Sequence, residues 1–204
     1  MILMLNCSYK RSESNTQFFL ELLKGELAGE EIQIVPLRPV LSGGFPEFVS
    51  KLEGAEAFVI GAPLYVDGLP AQAVKLLEML LECAGPALSG KRVYVVSNLG
   101  FYESEQIRNL FDIVRNWCQR MQMTYGGGLA IGAGPMIRAT RGLPMKTLLH
   151  HGIGTGLQKL ASHIRRGESM GNVYANTRIP RAVYKLAAHI TFRKTLKKNG
   201  NTKF

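Results

Sequence analysis

A chain of 204 residues, 46% hydrophobic and 20% charged, can bury a core of its own, which excludes small stapled scaffolds and disordered chains. The net charge of +10 is uneven: residues 1–158 hold 14 basic and 14 acidic residues, residues 159–204 hold 11 and 1, so any anionic partner is a matter for the tail. Cys7, Cys83 and Cys118 fit no disulfide, metal or iron–sulfur spacing, and no apolar run has the length of a signal peptide or a spanning helix, so the expectation is a cytoplasmic protein with no integral membrane association.

The apolar run of residues 1–5 reads as a buried strand, and Phe19, Leu22, Leu23 and Leu27 as one face of a helix. Between them, NCSYKRSESNT brings the hydroxyls of Ser8, Ser12, Ser14 and Thr16 and the charges of Lys10 and Arg11 to a helix start, where free amides and the helix dipole stabilise an anion. The loop contains no glycine, so it matches neither GxxxxGK[ST] nor GxGxxG. A second reading stands beside the phosphate loop: Ser14 or Asn15 simply caps the helix. The loop alone does not choose between them.

Residues 31–37 alternate as a second strand closed by Pro36 and Pro39, and residues 47–52 can form a short helix after a Gly-Gly-Phe-Pro turn. The nearly continuous apolar run of residues 55–63 suits the middle of a parallel sheet. After the loop Leu64-Tyr65-Val66-Asp67-Gly68-Leu69-Pro70 comes a helix with Ala73, Leu76, Leu77, Leu80 and Leu81 on one face. Residues 93–98 form a fourth strand, and the loop of residues 99–104 leads into a helix with Ile107, Leu110, Phe111, Val114, Trp117, Cys118 and Met121 inward.

A fifth strand over residues 125–133 contains Gly126-Gly127-Gly128, where glycine marks either a bend or close approach of backbone or ligand. Gly152-Ile153-Gly154-Thr155-Gly156 lacks the last spacing of GxGxxG and follows His150-His151, so it reads as a helix start, with the helix running from about Thr155 to Arg166. A Gly/Asn-containing connection leads to a last helix beginning near Pro180. Val183, Leu186, Ala187 and Ile190 form an apolar stripe expected to pack on the domain or a second subunit. Beyond Phe192 the pattern fails, and Arg193, Lys194, Lys197, Lys198 and Lys203 read as a solvated end or as an attractor of an anionic surface.

Five strands alternating with helices specify an open, doubly wound α/β sheet, whose ligand lies beyond the carboxyl ends of the strands at the switch point. Three loops leave those ends: residues 6–16, 63–70 and 97–104. Together they suit a ligand with a phosphate at one end and a flat ring with polar edges at the other. The four histidines show no metal-ligand spacing, Met121, Met123, Met136 and Met145 read as core filling, and no Ser-His-Asp or paired-carboxylate arrangement can be argued.

With these motifs in view, the chain resembles the flavodoxin-like NAD(P)H-dependent FMN reductase and quinone oxidoreductase superfamily. NCSYKRSESNT is similar to its phosphate loop of the form GSxRxxSNT, with Asn6-Cys7 where glycine is usual; APLYVDGLPAQAVKLLE is similar to its PxY and PAQ block, and SNLGFYES to the loop after its fourth strand. The resemblance covers residues 1–135 and implies a flavodoxin-like domain over residues 1–150, with residues 151–204 a helical, basic C-terminal extension packed on it. It implies FMN as cofactor, NAD(P)H as cosubstrate, and a quinone, flavin or other small molecule as electron acceptor. Ser8, Lys10, Ser14, Asn15 and Thr16 would hold the phosphate and ribityl chain; Pro63, Leu64, Tyr65 and Val66 would lie along the ring; Ser97, Asn98, Gly100 and Phe101 would meet its pyrimidine edge. No side-chain catalyst is implied, because the flavin carries the hydride chemistry. A homodimer with the flavin near the interface is also implied. Two other functions compete: a flavodoxin-type electron carrier that oxidises no nicotinamide, and a binding protein acting through its basic tail.

Overall fold

The structure, a computed structural model, describes residues 1–10, 14–143, 147 and 150–200. Arg11, Ser12, Met145 and Lys203, named above, lie outside the described residues.

The chain alternates strand and helix. It opens with β1 (Ile2–Asn6), α1 (Asn15–Glu26) and β2 (Ile32–Pro36), followed by the single helical turn α2 (Leu37–Pro39) and a π-helical stretch over Val40–Gly44. Next come α3 (Phe45–Gly54), β3 (Ala57–Pro63), α4 (Ala71–Cys83), β4 (Arg92–Asn98), α5 (Arg108–Arg120) and β5 (Thr124–Ile131). The rest is α6 (Gly134–Ala139), α7 (His151–Arg166), β6 (Val173–Ala175) and α8 (Arg181–Lys198). The strands form one sheet in the order β2-β1-β3-β4-β5-β6, and every pairing is parallel.

Parallel strands need crossovers, which cover both faces of the sheet, so β1 and β3 are buried along their whole length while the edge strand β2 is only half-buried. The period of two sorts side chains between the faces. Leu3, Leu5, Phe58 and Ile60 meet α3, α4 and α5 on one side, and Ile2, Met4, Val59, Tyr94 and Val96 meet α1 and α7 on the other.

The sheet has six strands among the described residues, not five. Residues 173–175 add an edge strand, with Leu129 opposite Val173 and Ile131 opposite Ala175. Three residues flanked by Asn172 and Asn176 are too few for an alternation to stand out, so β6 exists through its partner rather than its own pattern. Helix α7 also begins earlier than its periodicity suggests, at His151, and Gly156 is where it meets the sheet: a Cβ there would lie 2.6 Å from Leu129 Cδ1.

The glycines of β5 answer to the core as well. A Cβ on Gly126 would lie 2.6 Å from the Tyr94 ring, one on Gly128 2.6 Å from the Phe111 ring, and Gly127 adopts φ 108° beside a register shift between Val93 and Tyr94. Helix α8 continues through Lys198 rather than failing after Phe192, and its stripe does not pack on this chain: Val183 is 53% exposed and Leu186 63%. No helix among the described residues is long and apolar enough to cross a membrane.

Candidate active site

The order β2-β1-β3 places the switch point at the carboxyl end of β1, where the chain leaves to one side through α1 and returns on the other as β3. Asn6, the last residue of β1, organises the loop that follows. Its Oδ1 accepts from the Ser8 amide at 2.9 Å, and its Nδ2 donates to Gln17 Oε1 in the first turn of α1 at 2.8 Å. A side chain thus fixes the turn that glycine would otherwise permit. Cys7 donates its amide to the Gly61 carbonyl at 2.8 Å, and burial pushes its thiol up to about 12, so Cys7 stays a neutral core residue.

Ser14 is the N-cap of α1: its backbone is extended and its Oγ accepts from the Gln17 amide at 3.0 Å. The cap role leaves the hydroxyl hydrogen available for donation. Thr16 is buried, and its Oγ1 accepts from Asn98 Nδ2 at 2.9 Å, tying the start of α1 to the end of β4. Its own hydrogen also remains for a further acceptor. The amides of Asn15 and Thr16 are orphan donors of the first helical turn.

The second loop is a tight turn. Tyr65 and Gly68 exchange amide–carbonyl bonds of 3.0 and 3.1 Å, with Val66 at φ 47° and Asp67 at φ 60° between them. A β-branched residue in the left-handed region is strained, and such strain concentrates at ligand-contacting loops. Val66 is fully exposed at the tip, and the Leu64 amide donates to the Asn98 carbonyl at 2.9 Å.

In the third loop the carbonyls are tied down. Leu99 O accepts from the Gly134 amide at 2.9 Å, Phe101 O from the Ala133 amide at 2.6 Å, and Gly100 O from the Tyr184 hydroxyl of α8. The amides of Gly100, Phe101 and Tyr102 donate to no acceptor among the described residues.

One open cleft of about 140 Å³ is lined by Ser8, Lys10, Ser14, Asn15, Thr16, Pro63, Leu64, Tyr65, Asn98, Leu99 and Gly100. Ten of the residues singled out from sequence therefore meet there, joined by Leu99. The other three do not line it. Val66 and Phe101 are exposed at loop tips, and Ser97 is wholly buried one position before Asn98, with no partner for its hydroxyl among the described residues. Lys10 and Asn15 also line a neighbouring hollow with Arg138 and Arg141. Leu99 and Tyr184 escaped the sequence reading, and Asn6 entered it only as a departure from glycine: Asn6 holds the loop from beneath, Leu99 is one apolar residue among many, and Tyr184 reaches Gly100 across 84 positions.

The donor set fits FMN. The lining combines hydroxyls, an asparagine amide, orphan helix amides and a lysine, which suit a phosphate, with the free Gly100 amide and the Tyr65 side chain, which suit a polar-edged ring.

The fold is flavodoxin-like, and the three loops meet beyond the carboxyl ends of its strands, where such sheets take their ligands. The chain belongs to the NADPH-dependent FMN reductase family, whose model matches residues 1–133. Among solved structures, the Trp repressor binding protein from Bacillus subtilis is similar at 15% identity and a TM-score of 0.61, over 78% of this chain and 97% of that one. RosB with a bound 8-demethyl-8-formylriboflavin-5'-phosphate intermediate has 15% identity and a TM-score of 0.62, over 81% and 79%. An NADPH-quinone reductase from P. pentosaceus has 19% identity and a TM-score of 0.55, over 82% and 96%. At these identities the likenesses concern the fold. No curated protein matches the sequence. Membership of the family makes the protein an oxidoreductase with FMN as cofactor and NAD(P)H as electron donor.

Proposed function

We propose that the protein transfers two electrons from NAD(P)H, through FMN held in the cleft of the three loops, to a small acceptor such as a quinone or a free flavin. The observation that carries this reading is the convergence of those loops on one cleft, which gathers hydroxyls and Lys10 from the first, Tyr65 from the second and the free Gly100 amide from the third. FMN, when bound, supplies the centre that accepts hydride and passes the electrons on. The net change is NAD(P)H, a proton and the oxidised acceptor giving NAD(P)⁺ and the two-electron-reduced acceptor.

The chain's own groups bind, orient and stabilise. Ser8, Ser14, Asn15 and Thr16 hold the phosphate and ribityl chain by hydrogen bonds, and Lys10 adds charge. Pro63, Leu64 and Tyr65 border the ring, with Val66 at the tip of their loop. Ser97 and Asn98 position the end of β4, while Gly100 and Phe101 present amides where negative charge arrives on reduction, a preorganised donor set of the kind that lowers the barrier. The stripe of α8 suits a homodimer, with the cytoplasm as working compartment.

Anaerobic mixing of the FMN-loaded protein with NADPH and with NADH tests the reading. Loss of flavin absorbance with at least one nucleotide, and its return on adding a quinone or free flavin, is the expected result. A flavin that neither nucleotide reduces, but that a reduced protein partner does, means an electron carrier instead.

A further inference from the structure

Residues 175–184 lie beyond the part of the chain that matches the family, yet they hold most of the third site loop. Asn176 Oδ1 accepts from the Ser104 amide at 2.7 Å, and its Nδ2 donates to the Glu105 carboxylate at 3.1 and 3.2 Å. The Tyr102 hydroxyl donates to the Thr177 and Ile179 carbonyls at 3.0 and 2.8 Å. Arg181 pairs with Glu103 at 2.7 Å, the rings of Tyr102 and Tyr184 meet at 5.6 Å, and the Tyr184 hydroxyl donates to the Gly100 carbonyl.

This is an unusual way to attach a terminal helix. A helix docked for stability buries an apolar face, whereas α8 leaves Val183, Leu186 and Ile190 exposed and reaches the domain through polar groups of its first turn. Of those groups, Arg181 pairs with a side-chain carboxylate, while the Tyr184 hydroxyl is aimed at the backbone of the loop that borders the cleft.

The consequence follows from peptide geometry. Every described peptide is trans, so the carbonyl and amide of one peptide plane point in opposite directions. Holding the Gly100 carbonyl towards α8 turns the Phe101 amide away from α8, and the Gly134 and Ala133 amides do the same for the amides of Gly100 and Tyr102. Burial, with Glu103 adding to it, raises the Tyr184 phenol above its ordinary range, so it remains an O–H donor at working pH.

We propose that Tyr184 and Tyr102 are positioning residues through which the C-terminal segment aims the third-loop amides and thereby sets how readily bound FMN is reduced. The proposal rests on the FMN reading of the cleft.

Its test uses the full chain with Tyr184→Phe and Tyr102→Phe. In Tyr184→Phe, oxidised FMN should bind within about twofold of wild type, while reduced FMN loses about tenfold, a negative shift of about 30 mV in the two-electron potential. kcat should fall with the KM for the nicotinamide unchanged, and Tyr102→Phe should shift the potential in the same direction. Arg181→Ala loosens the same helix end without touching the Gly100 carbonyl, and should leave the potential at the wild-type value. An unchanged potential in Tyr184→Phe, or an equal shift in Arg181→Ala, overturns the proposal. Amide hydrogen exchange in flavin-free protein separates this from failure of the cofactor reading. The Ala133 amide, donated to Phe101 O, should exchange at least tenfold faster in Tyr184→Phe while Leu27 is unchanged. That acceleration upholds the clasp even where FMN fails to bind, and unchanged exchange overturns it.

Discussion

Thr16 shows how much one hydroxyl carries in this site. It accepts from buried Asn98, so Thr16→Ala both removes a hydroxyl from the cleft and strands Asn98 Nδ2. A stability loss of about 1–3 kcal/mol is expected in urea titration, and Thr16→Ser, which restores the hydroxyl, should recover most of it. Val66 is the opposite case, a residue held at φ 47° by the two-residue turn that the Tyr65–Gly68 hydrogen bonds close. Val66→Gly should raise stability by about 1 kcal/mol, because the left-handed region costs β-branched residues roughly that much. A loss of stability on that change would mean that the turn needs valine.

The titrations of the core belong to the same scale. Burial raises Cys7, Cys118 and Tyr94 to about 12. Each group holds its proton more tightly folded than unfolded, so its contribution is fully present below its unfolded value, about 9 for the thiols and 10 for Tyr94, and is lost as pH rises towards 12. Unfolding free energy should therefore be flat from about pH 7 to 9 and fall above it, by up to about 1.4 kcal/mol per pH unit per group. Exposed Cys83 should be alkylated by iodoacetamide at pH 8, while Cys7 and Cys118 in folded protein should not.

Among the elements, those with strong periods were legible and those defined by a partner were not. The residues of β1 and β3 announce buried strands because both faces are covered, and α4 and α5 announce their inward faces by spacing. β6 was illegible because three residues carry no period and its pairing partner lies some 40 positions back, and the early start of α7 was masked by glycines that weaken a helical pattern. Gly156 has a reason only the fold supplies. Gly156→Ala drives a methyl against Leu129 and should destabilise by about 1–3 kcal/mol in urea titration, even though alanine is the better helix former. The site was legible where composition is unusual, in the hydroxyl-rich first loop, and silent where long-range contacts decide, as with Tyr184.

Over the whole molecule, the charge separation and the exposed helix belong together. The tail that carries the net charge ends in α8, which shows solvent an apolar stripe and basic side chains. In the homodimer reading the stripe is covered by a second copy, so Leu186→Asp with Ile190→Asp should halve the mass found by sedimentation velocity without changing FMN stoichiometry. A wild-type chain that sediments as a monomer at micromolar concentration removes that reading.

The placing of FMN in the cleft of the three loops is tested most directly by fluorescence titration of flavin-free protein with FMN, comparing wild type with Thr16→Ala and with Lys10→Ala. Wild-type protein should bind one FMN per chain, and each variant should bind at least tenfold more weakly while its far-ultraviolet circular dichroism stays that of the wild type. Wild-type affinity in both variants would contradict the assignment and place the flavin elsewhere on the fold.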